Sequence, residues 1–416
     1  MAIQEKNTKT PSLSLFVLYI ILTMVIYMLP AVKLLVPYIL AGSFMLLFLP
    51  VAMMRMQHRP GFFMLLLGSA FVSAALYFAN GFMGTTDAIN EAIRYIRFFL
   101  PVTWAVYALR FCTPKQRRNL LIFFGIITVF ILFKTIKALE ADEWVTRILA
   151  QDKTADSAEI RAYRMGNIGG FEFSYMMGVV VLCLVWAALK CKKAMVRVLS
   201  IVGAVVGFYY IIQTMYMTLL ILTSAGILLL LLFNTKNILT RVLLIFGSIA
   251  LVFSIVPLCK YLSEVFSGSL LSEKFLQFYT ALTGGGADSL GSRPGLIADA
   301  LERWLQSPIW GGYGFSVATH SMIFSILEAT GLIGLFAFLG CILSGYKWIS
   351  LELRKQNVPT GLLSIVFGYI IVLSVLNPIG YVFEVTIAAF FITPLWSTLL
   401  CANDSSASKK QAIEFG

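Results

Sequence analysis

Arg161, Arg164, Arg293 and His320 carry the side chains and spacings in this chain best suited to chemistry on an anion. A guanidinium presents a fork of donors that grips a phosphate or diphosphate through paired hydrogen bonds. Arg161 and Arg164 are three apart, which sets them on one side of a helical turn. Arg293 lies in Ser292-Arg293-Pro294-Gly295, where Ser292 is placed to cap a helix and Pro294 falls in its first turn. His320 follows the turn sequence Pro308-Ile309-Trp310-Gly311-Gly312-Tyr313-Gly314. An imidazole there can accept a proton from a hydroxyl near neutral pH or hydrogen-bond a phosphate. Each residue also has a plainer reading, since arginines at a membrane edge snorkel to headgroups and an interfacial His is commonly only a hydrogen-bonding group.

Further charges sit in or beside apolar runs. Arg94 and Arg97 follow Asp87 and Glu91, and read either as a second anion contact or as members of internal pairs such as Glu91 with Arg94. Glu172, Glu328 and Glu384 read as bases or as buried counter-charges. Arg303 is expected to be neutralised by Asp299 and Glu302 on its own helix. His58, inside the basic run Arg55-Met56-Gln57-His58-Arg59, reads as a topological residue. With only 2 His, and 6 Cys that show no CxxC spacing, neither a multi-histidine metal site nor a zinc cluster or structural disulfide is expected. The acidic clusters Glu140, Asp142, Glu143 and Asp152, Asp156, Glu159 lack the alternating ligands of a calcium loop. No metal and no cofactor is expected, and without a Gly-rich phosphate loop any reaction must use a substrate that is already activated.

The frame that must hold these residues is membrane. The chain of 416 residues is 59% hydrophobic and 12% charged, where a soluble domain carries about 25% charge. Apolar runs of about 17–25 residues suggest about twelve spans, near 11–30, 34–54, 61–79, 92–112, 119–138, 171–189, 198–214, 217–234, 242–258, 322–345, 359–378 and 381–400. Lys and Arg crowd 6–9, 55–59, 110–118, 190–197, 236–241, 347–355 and 409–410, so the positive-inside rule puts those segments and both termini in the cytoplasm. The expected architecture is an all-α polytopic membrane protein forming a single domain over 1–416. Two long segments, 139–170 and 259–321, then face outward. The second carries a surface helix whose apolar side is Leu296, Ala300, Trp304 and Leu305.

In order, Ser292-Arg293-Pro294-Gly295, Ser307-Pro308-Ile309-Trp310-Gly311-Gly312-Tyr313-Gly314, His320-Ser321, Leu327-Glu328 and Gly331-Leu332-Ile333-Gly334-Leu335 resemble the signature of the O-antigen ligase and polymerase superfamily. Arg164-Met165-Gly166-Asn167 resembles the arginine motif of that family's preceding outer segment. The glycine turn is one residue longer than its tightest form, and Ser321 stands where the family usually has Asn. The resemblance implies a GT-C-type membrane fold of the bacterial cytoplasmic membrane with its active site on the outer face. It implies metal-independent glycosyl transfer from an undecaprenyl-diphosphate-linked oligosaccharide, with Arg164 and Arg293 on the diphosphate and His320 orienting or deprotonating the acceptor hydroxyl. Arg161, Arg94 and Arg97 are further candidate substrate contacts. A repeat-unit polymerase for O-antigen, capsule or exopolysaccharide is the preferred reading; a partner that regulates chain length would accompany it. A ligase moving the glycan to a different acceptor stays open. So do a secondary transporter or flippase using Arg94, Arg97 and Arg164 as a path, and a non-enzymatic assembly factor.

Overall fold

The computed structural model describes residues 12–36, 100–151, 157–283, 292–311, 321–377 and 383–400, apart from Met215 and Lys236, together with Leu40, Ala41, Phe44 and Leu47. Among the described residues the chain is helical, with no strand. The helices are α1 (Ser12–Met28), α2 (Pro30–Leu35), α3 over 100–111, α4 (Pro114–Ala141), α5 (Val145–Gln151), α6 (Ala158–Met165), α7 (Phe171–Lys190) and α8 (Ala194–Thr214). They continue as α9 (Met217–Asn234), α10 (Ile238–Val265), α11 (Leu270–Leu282), α12 (Ser292–Gln306), α13 (Met322–Lys355), α14 (Gly361–Leu376) and α15 (Phe383–Leu400).

Six of these, α4, α7, α8, α9, α13 and α15, are long and apolar enough to cross a bilayer. The chain is a multi-pass membrane protein. The sequence stretch 198–234 divides into two helices, as its turn residues predict, with Tyr216 in extended conformation at the start of α9. Several helices outrun their apolar runs, whereas α1, α14 and α15 fall short of theirs. The run 119–138 becomes Pro114–Ala141 because Thr113 and Gln116 form a reciprocal capping box with Pro114 in the first turn.

Helix α7 is the hub, packing against α8, α9, α14 and α15. Small residues permit this closeness. A Cβ at Gly178 would stand 2.4 Å from the Tyr369 hydroxyl oxygen, and one at Gly226 would stand 2.7 Å from Leu182. Lipid tails are as apolar as Leu, so helices in a bilayer associate through such close packing rather than by leaving water. In α15 the hydrogen-bond ladder widens to a π-turn over Ile387–Ile392. Pro394 explains it: the ring lacks a donor and would crowd the carbonyl four residues back, and the wider turn absorbs the misfit.

Helix α13 breaks at Gly331, whose φ of 62° and ψ of −161° are accessible essentially to glycine alone. The break frees the amides of Leu332 and Ile333, which in a continuous helix would point at the carbonyls of Glu328 and Ala329. They donate instead to Pro308 O at 3.0 Å and Ile309 O at 3.4 Å. Gly311, with φ of 72°, lies against the same break, where a Cβ would come within 2.4 Å of the Ala329 carbonyl. The Pro308–Gly311 turn is therefore fitted into the kink of α13. Trp304 Nε1 also donates to Pro308 O, at 2.9 Å, and ties the end of α12 to the same point.

One end of the bundle is closed by a polar clamp. Glu352 accepts from Arg110 at 2.5 Å and Lys355 at 2.9 Å. Arg117 reaches Gln356 Oε1 at 2.8 Å and the Leu109 carbonyl at 2.9 Å. Gly331→Ala is expected to lower stability in detergent by at least about 1–3 kcal/mol, because alanine is forced into a glycine-only conformation against the Ile309 carbonyl. Gly340→Ala, on the same helix with open space around its Cα, should change it by less than about 0.5 kcal/mol. Equal thermal unfolding temperatures for the two variants would contradict the interlock.

Candidate functional site

Arg164 ends the short helix α6, and local sequence fixes how. Asn167 adopts φ of 58°, a left-handed conformation that Asn tolerates better than most residues. Ile168 N then donates to Tyr163 O at 3.1 Å and Asn167 N to Arg164 O at 3.0 Å, the paired bonds of a Schellman ending. Tyr163 ties α6 to the end of α4, its hydroxyl lying 3.2 Å from Asp142 Oδ2 and 3.1 Å from Glu159 Oε1. Desolvation and these two carboxylates push the Tyr163 hydroxyl up to about 12, so it remains a donor at neutral pH.

The Asn167 side chain does a second job. Its Oδ1 accepts from Ala31 N at 3.2 Å, satisfying an otherwise orphan amide in the first turn of α2. Helix α2 carries Lys33. The Lys33 ammonium bridges Glu172, in the first turn of α7, and Glu384 Oε1, at the start of α15, the latter at 3.0 Å. Lys33, Glu172, Glu384 and Arg164 together line a cavity of about 450 Å³, whose walls include Tyr27, Leu149, Gly169, Gly170 and Phe171. Arg147 holds the α5 wall in place with its guanidinium 5.2 Å from the centre of the Tyr216 ring, while the Tyr216 hydroxyl donates to Thr146 O at 2.8 Å.

Within this cavity the Arg164 guanidinium makes no hydrogen bond or ion pair with the described residues. The Glu384 side chain is only 6% exposed, and its Oε2 is buried with no hydrogen-bond partner among the described residues. A guanidinium fork lines this space, a geometry suited to a ligand that bears an anion. Among the described residues no cluster of His, Cys, Asp and Glu could hold a metal ion.

The structure brings Arg164 to the cavity, whereas Arg161 is exposed and is not part of the lining. Arg293 lies in the first turn of α12, and nothing is described of its side chain. His320, Arg94, Arg97 and His58 lie outside the described residues. Ser321, next to His320, caps α13 by accepting from Phe324 N at 3.3 Å, and Met322 N donates to Asn377 O at 3.2 Å. The start of α13 is thereby held at the end of α14, the same end of the bundle at which α15 begins with Glu384.

Arg303 corrects an expectation. Its partner is not Asp299 or Glu302, which are exposed, but Glu328 on α13, with Nε 3.0 Å from Oε1. The Glu328 side chain is fully buried, and a buried carboxylate without a counter-charge costs far more than an exposed helix pair returns. Helix α12 otherwise sits as its pattern predicts, with Ala300 buried, although Leu305 is exposed.

Lys33 was not legible as a site residue. The available signal was a single ammonium in a long apolar stretch, matched by two carboxylates at the heads of later spans. Replacing Lys33 with Met should destabilise the protein by about 1–3 kcal/mol, less than for a fully buried pair because 36% of its side chain is exposed. Adding Glu384→Gln should restore part of that loss, since it removes the stranded charge. A double variant less stable than the sum of the single changes, measured by thermal unfolding in detergent, would refute the shared ion pair.

Comparison with protein-family models gives no match, and comparison with curated proteins gives no relative, so the reading of this site rests on its own residues.

Proposed function

We propose that this protein is a polysaccharide repeat-unit polymerase of the bacterial cytoplasmic membrane. In this reading it transfers an undecaprenyl-diphosphate-linked glycan to a hydroxyl of a second lipid-linked repeat unit. The observation that carries it is the Arg164 guanidinium, without a hydrogen bond or ion pair among the described residues, lining a cavity of about 450 Å³ that Glu172 and Glu384 also line. The proposal extends to about twelve spans, a GT-C-type arrangement, cytoplasmic termini and a cavity opening on the outer face. The polar clamp of Arg110, Arg117, Glu352 and Lys355 supports that orientation, since the positive-inside rule assigns basic helix ends to the cytoplasm.

The chemistry follows from charge. When the anomeric carbon parts from the diphosphate, negative charge grows on the leaving oxygen. A guanidinium already aimed at that oxygen stabilises the transition state more than the ground state. Arg293 supplies a second such group in the proposal, and its place at the N-terminus of α12 adds the favourable end of a helix dipole. His320 orients or deprotonates the attacking hydroxyl. Single displacement then inverts the anomeric configuration, without a nucleotide sugar and without a metal.

The Lys33–Glu172–Glu384 group also suits a second reading, a proton-coupled transporter or flippase, because carboxylates paired with an ammonium at the heads of spans are a common means of coupling. A ligase would share the donor site and differ only in its acceptor. Purified protein in lipid vesicles, given a lipid-linked repeat unit, should yield a ladder of products that retain the isoprenoid diphosphate. Transfer onto a new acceptor would indicate the ligase, and movement across the bilayer without bond formation would indicate the transporter. Arg164→Ala and Arg293→Ala should each lower turnover by about 10²-fold or more with unchanged protein level. His320→Ala should reduce product while His58→Ala does not, and a chelator should leave the transfer step intact.

A further inference from the structure

The structure assigns helix α2 the role of a gate on the Arg164 cavity, with Lys33 as its latch. Two prolines set this helix apart in the sequence, Pro30 at its start and Pro37 directly after Val36. The residue before a proline is pushed toward extended backbone. Leu29 and Val36 are both extended, with φ and ψ of −83° and 112° and of −89° and 119°. Six helical residues therefore hang between two non-helical joints, and so short a helix contributes little stability of its own.

Pro30, Lys33, Leu34 and Val36 all line the cavity, so this segment forms one of its walls. The other walls are anchored by buried side chains: Tyr27 on α1, Val145 on α5, Ile160 on α6, Phe173 on α7 and Phe383 on α15. Helix α2 alone among these elements has no buried residue. An element with no buried side chain gives up little packing when it moves, which places it at the low end of local stability. What holds α2 to the cavity is polar. Ala31 N donates to Asn167 Oδ1 at 3.2 Å, and Lys33 reaches Glu172 and Glu384, the latter at 3.0 Å. The Lys33 and Glu172 side chains are each 36% exposed, so water can take over their contact as the latch parts.

The size of the cavity gives the gate its purpose. About 450 Å³ suits a ligand of drug size. The two lipid-linked glycans of the proposed transfer are each far larger, so a wall must yield before both reach Arg164. Movement of α2 opens the space while α5 and α7 keep their buried anchors and Tyr163 holds α6 to Asp142. The need for opening rests on the proposed function; the joints and the latch rest on geometry alone.

The experiment measures access and requires no reaction. Leu149→Cys puts a thiol on the α5 wall of the cavity. Full-length protein in detergent is treated with a small maleimide or with one extended by a polyethylene glycol chain, and peptide mass spectrometry reads the label at position 149. Lys33→Met releases the latch. It should raise the rate of the extended reagent by about tenfold or more and that of the small one by less than about threefold, because gated labelling follows the population of the open form. Lys33→Arg keeps a cation for both carboxylates and should label like the parent. Gly331→Ala, destabilised elsewhere, should leave the ratio of the two rates unchanged. If Lys33→Met fails to fold, Glu172→Gln takes its place, since it removes the exposed half of the latch and should raise the extended reagent's rate by about threefold or more. A ratio in the unlatched variant within about twofold of the parent overturns the gate, as does an equal rise in Gly331→Ala. A parent protein that forms no glycosidic product counts against the proposed function and leaves the gate standing, so the two failures are told apart.

Discussion

A helix inside a bilayer cannot leave backbone amides unbonded, and the break at Gly331 creates two such amides in the middle of α13. Only another strip of backbone can repair them, and the carbonyls of Pro308 and Ile309 do so. The repair is possible because Gly311 and Gly331 both lack a side chain where the two backbones meet. A turn far from α13 in the surface pattern of the sequence is therefore locked into the bundle. The position of α12, and of Arg293 within it, follows from that lock. So does the pairing of Arg303 with the buried Glu328, which sits one turn before the break.

The second cohesive device is electrostatic and works between helix ends. Lys33 on a helix of only six residues would be poorly placed by its own helix, since so short an element barely sustains its hydrogen bonds. Asn167 caps that helix from the end of α6, and two carboxylates from α7 and α15 hold the ammonium. Arg164 and Asn167 belong to one short motif but divide its labour. The asparagine builds the wall that presents Lys33, and the arginine lines the cavity.

Much of the architecture was legible because it depends on local patterns. Apolar run length marks the long helices, and the turn residues around Thr214 and Tyr216 mark the division of α8 from α9. The apolar side of α12 could be read as far as Ala300, but Leu305 lies too far round the helix to share it. What escaped were pairings between residues distant in sequence. Glu328 lies 25 positions beyond Arg303, and a helix-local rule selects Asp299 or Glu302 instead. Lys33 and Glu384 are separated by 351 positions, and only the fold reveals that they meet. Glu172 and Glu384 were recognisable as either bases or counter-charges because burial makes both roles possible. Their common ammonium shows the counter-charge role, and the orphan oxygen of Glu384 shows what the ammonium leaves unsatisfied.

The two ends of the bundle treat charge in opposite ways. At the Arg110 end, Glu352 is bound by two cations, and Arg117 spends its donors on Gln356 and on the carbonyls of Leu109 and Cys112. Each group there is consumed in closing the bundle. At the Arg164 end the same kinds of side chain line a cavity, where Arg164 has no hydrogen bond or ion pair among the described residues. Unsatisfied polar groups cost folding free energy and persist where a ligand completes them. Buried polar atoms of the same kind also occur at Thr128, Thr223 and Ser350, so what sets the Arg164 end apart is the cavity that its charged groups line. Charged side chains that line a cavity can be reached by a ligand, whereas the same side chains in the Glu352 clamp are spent on one another.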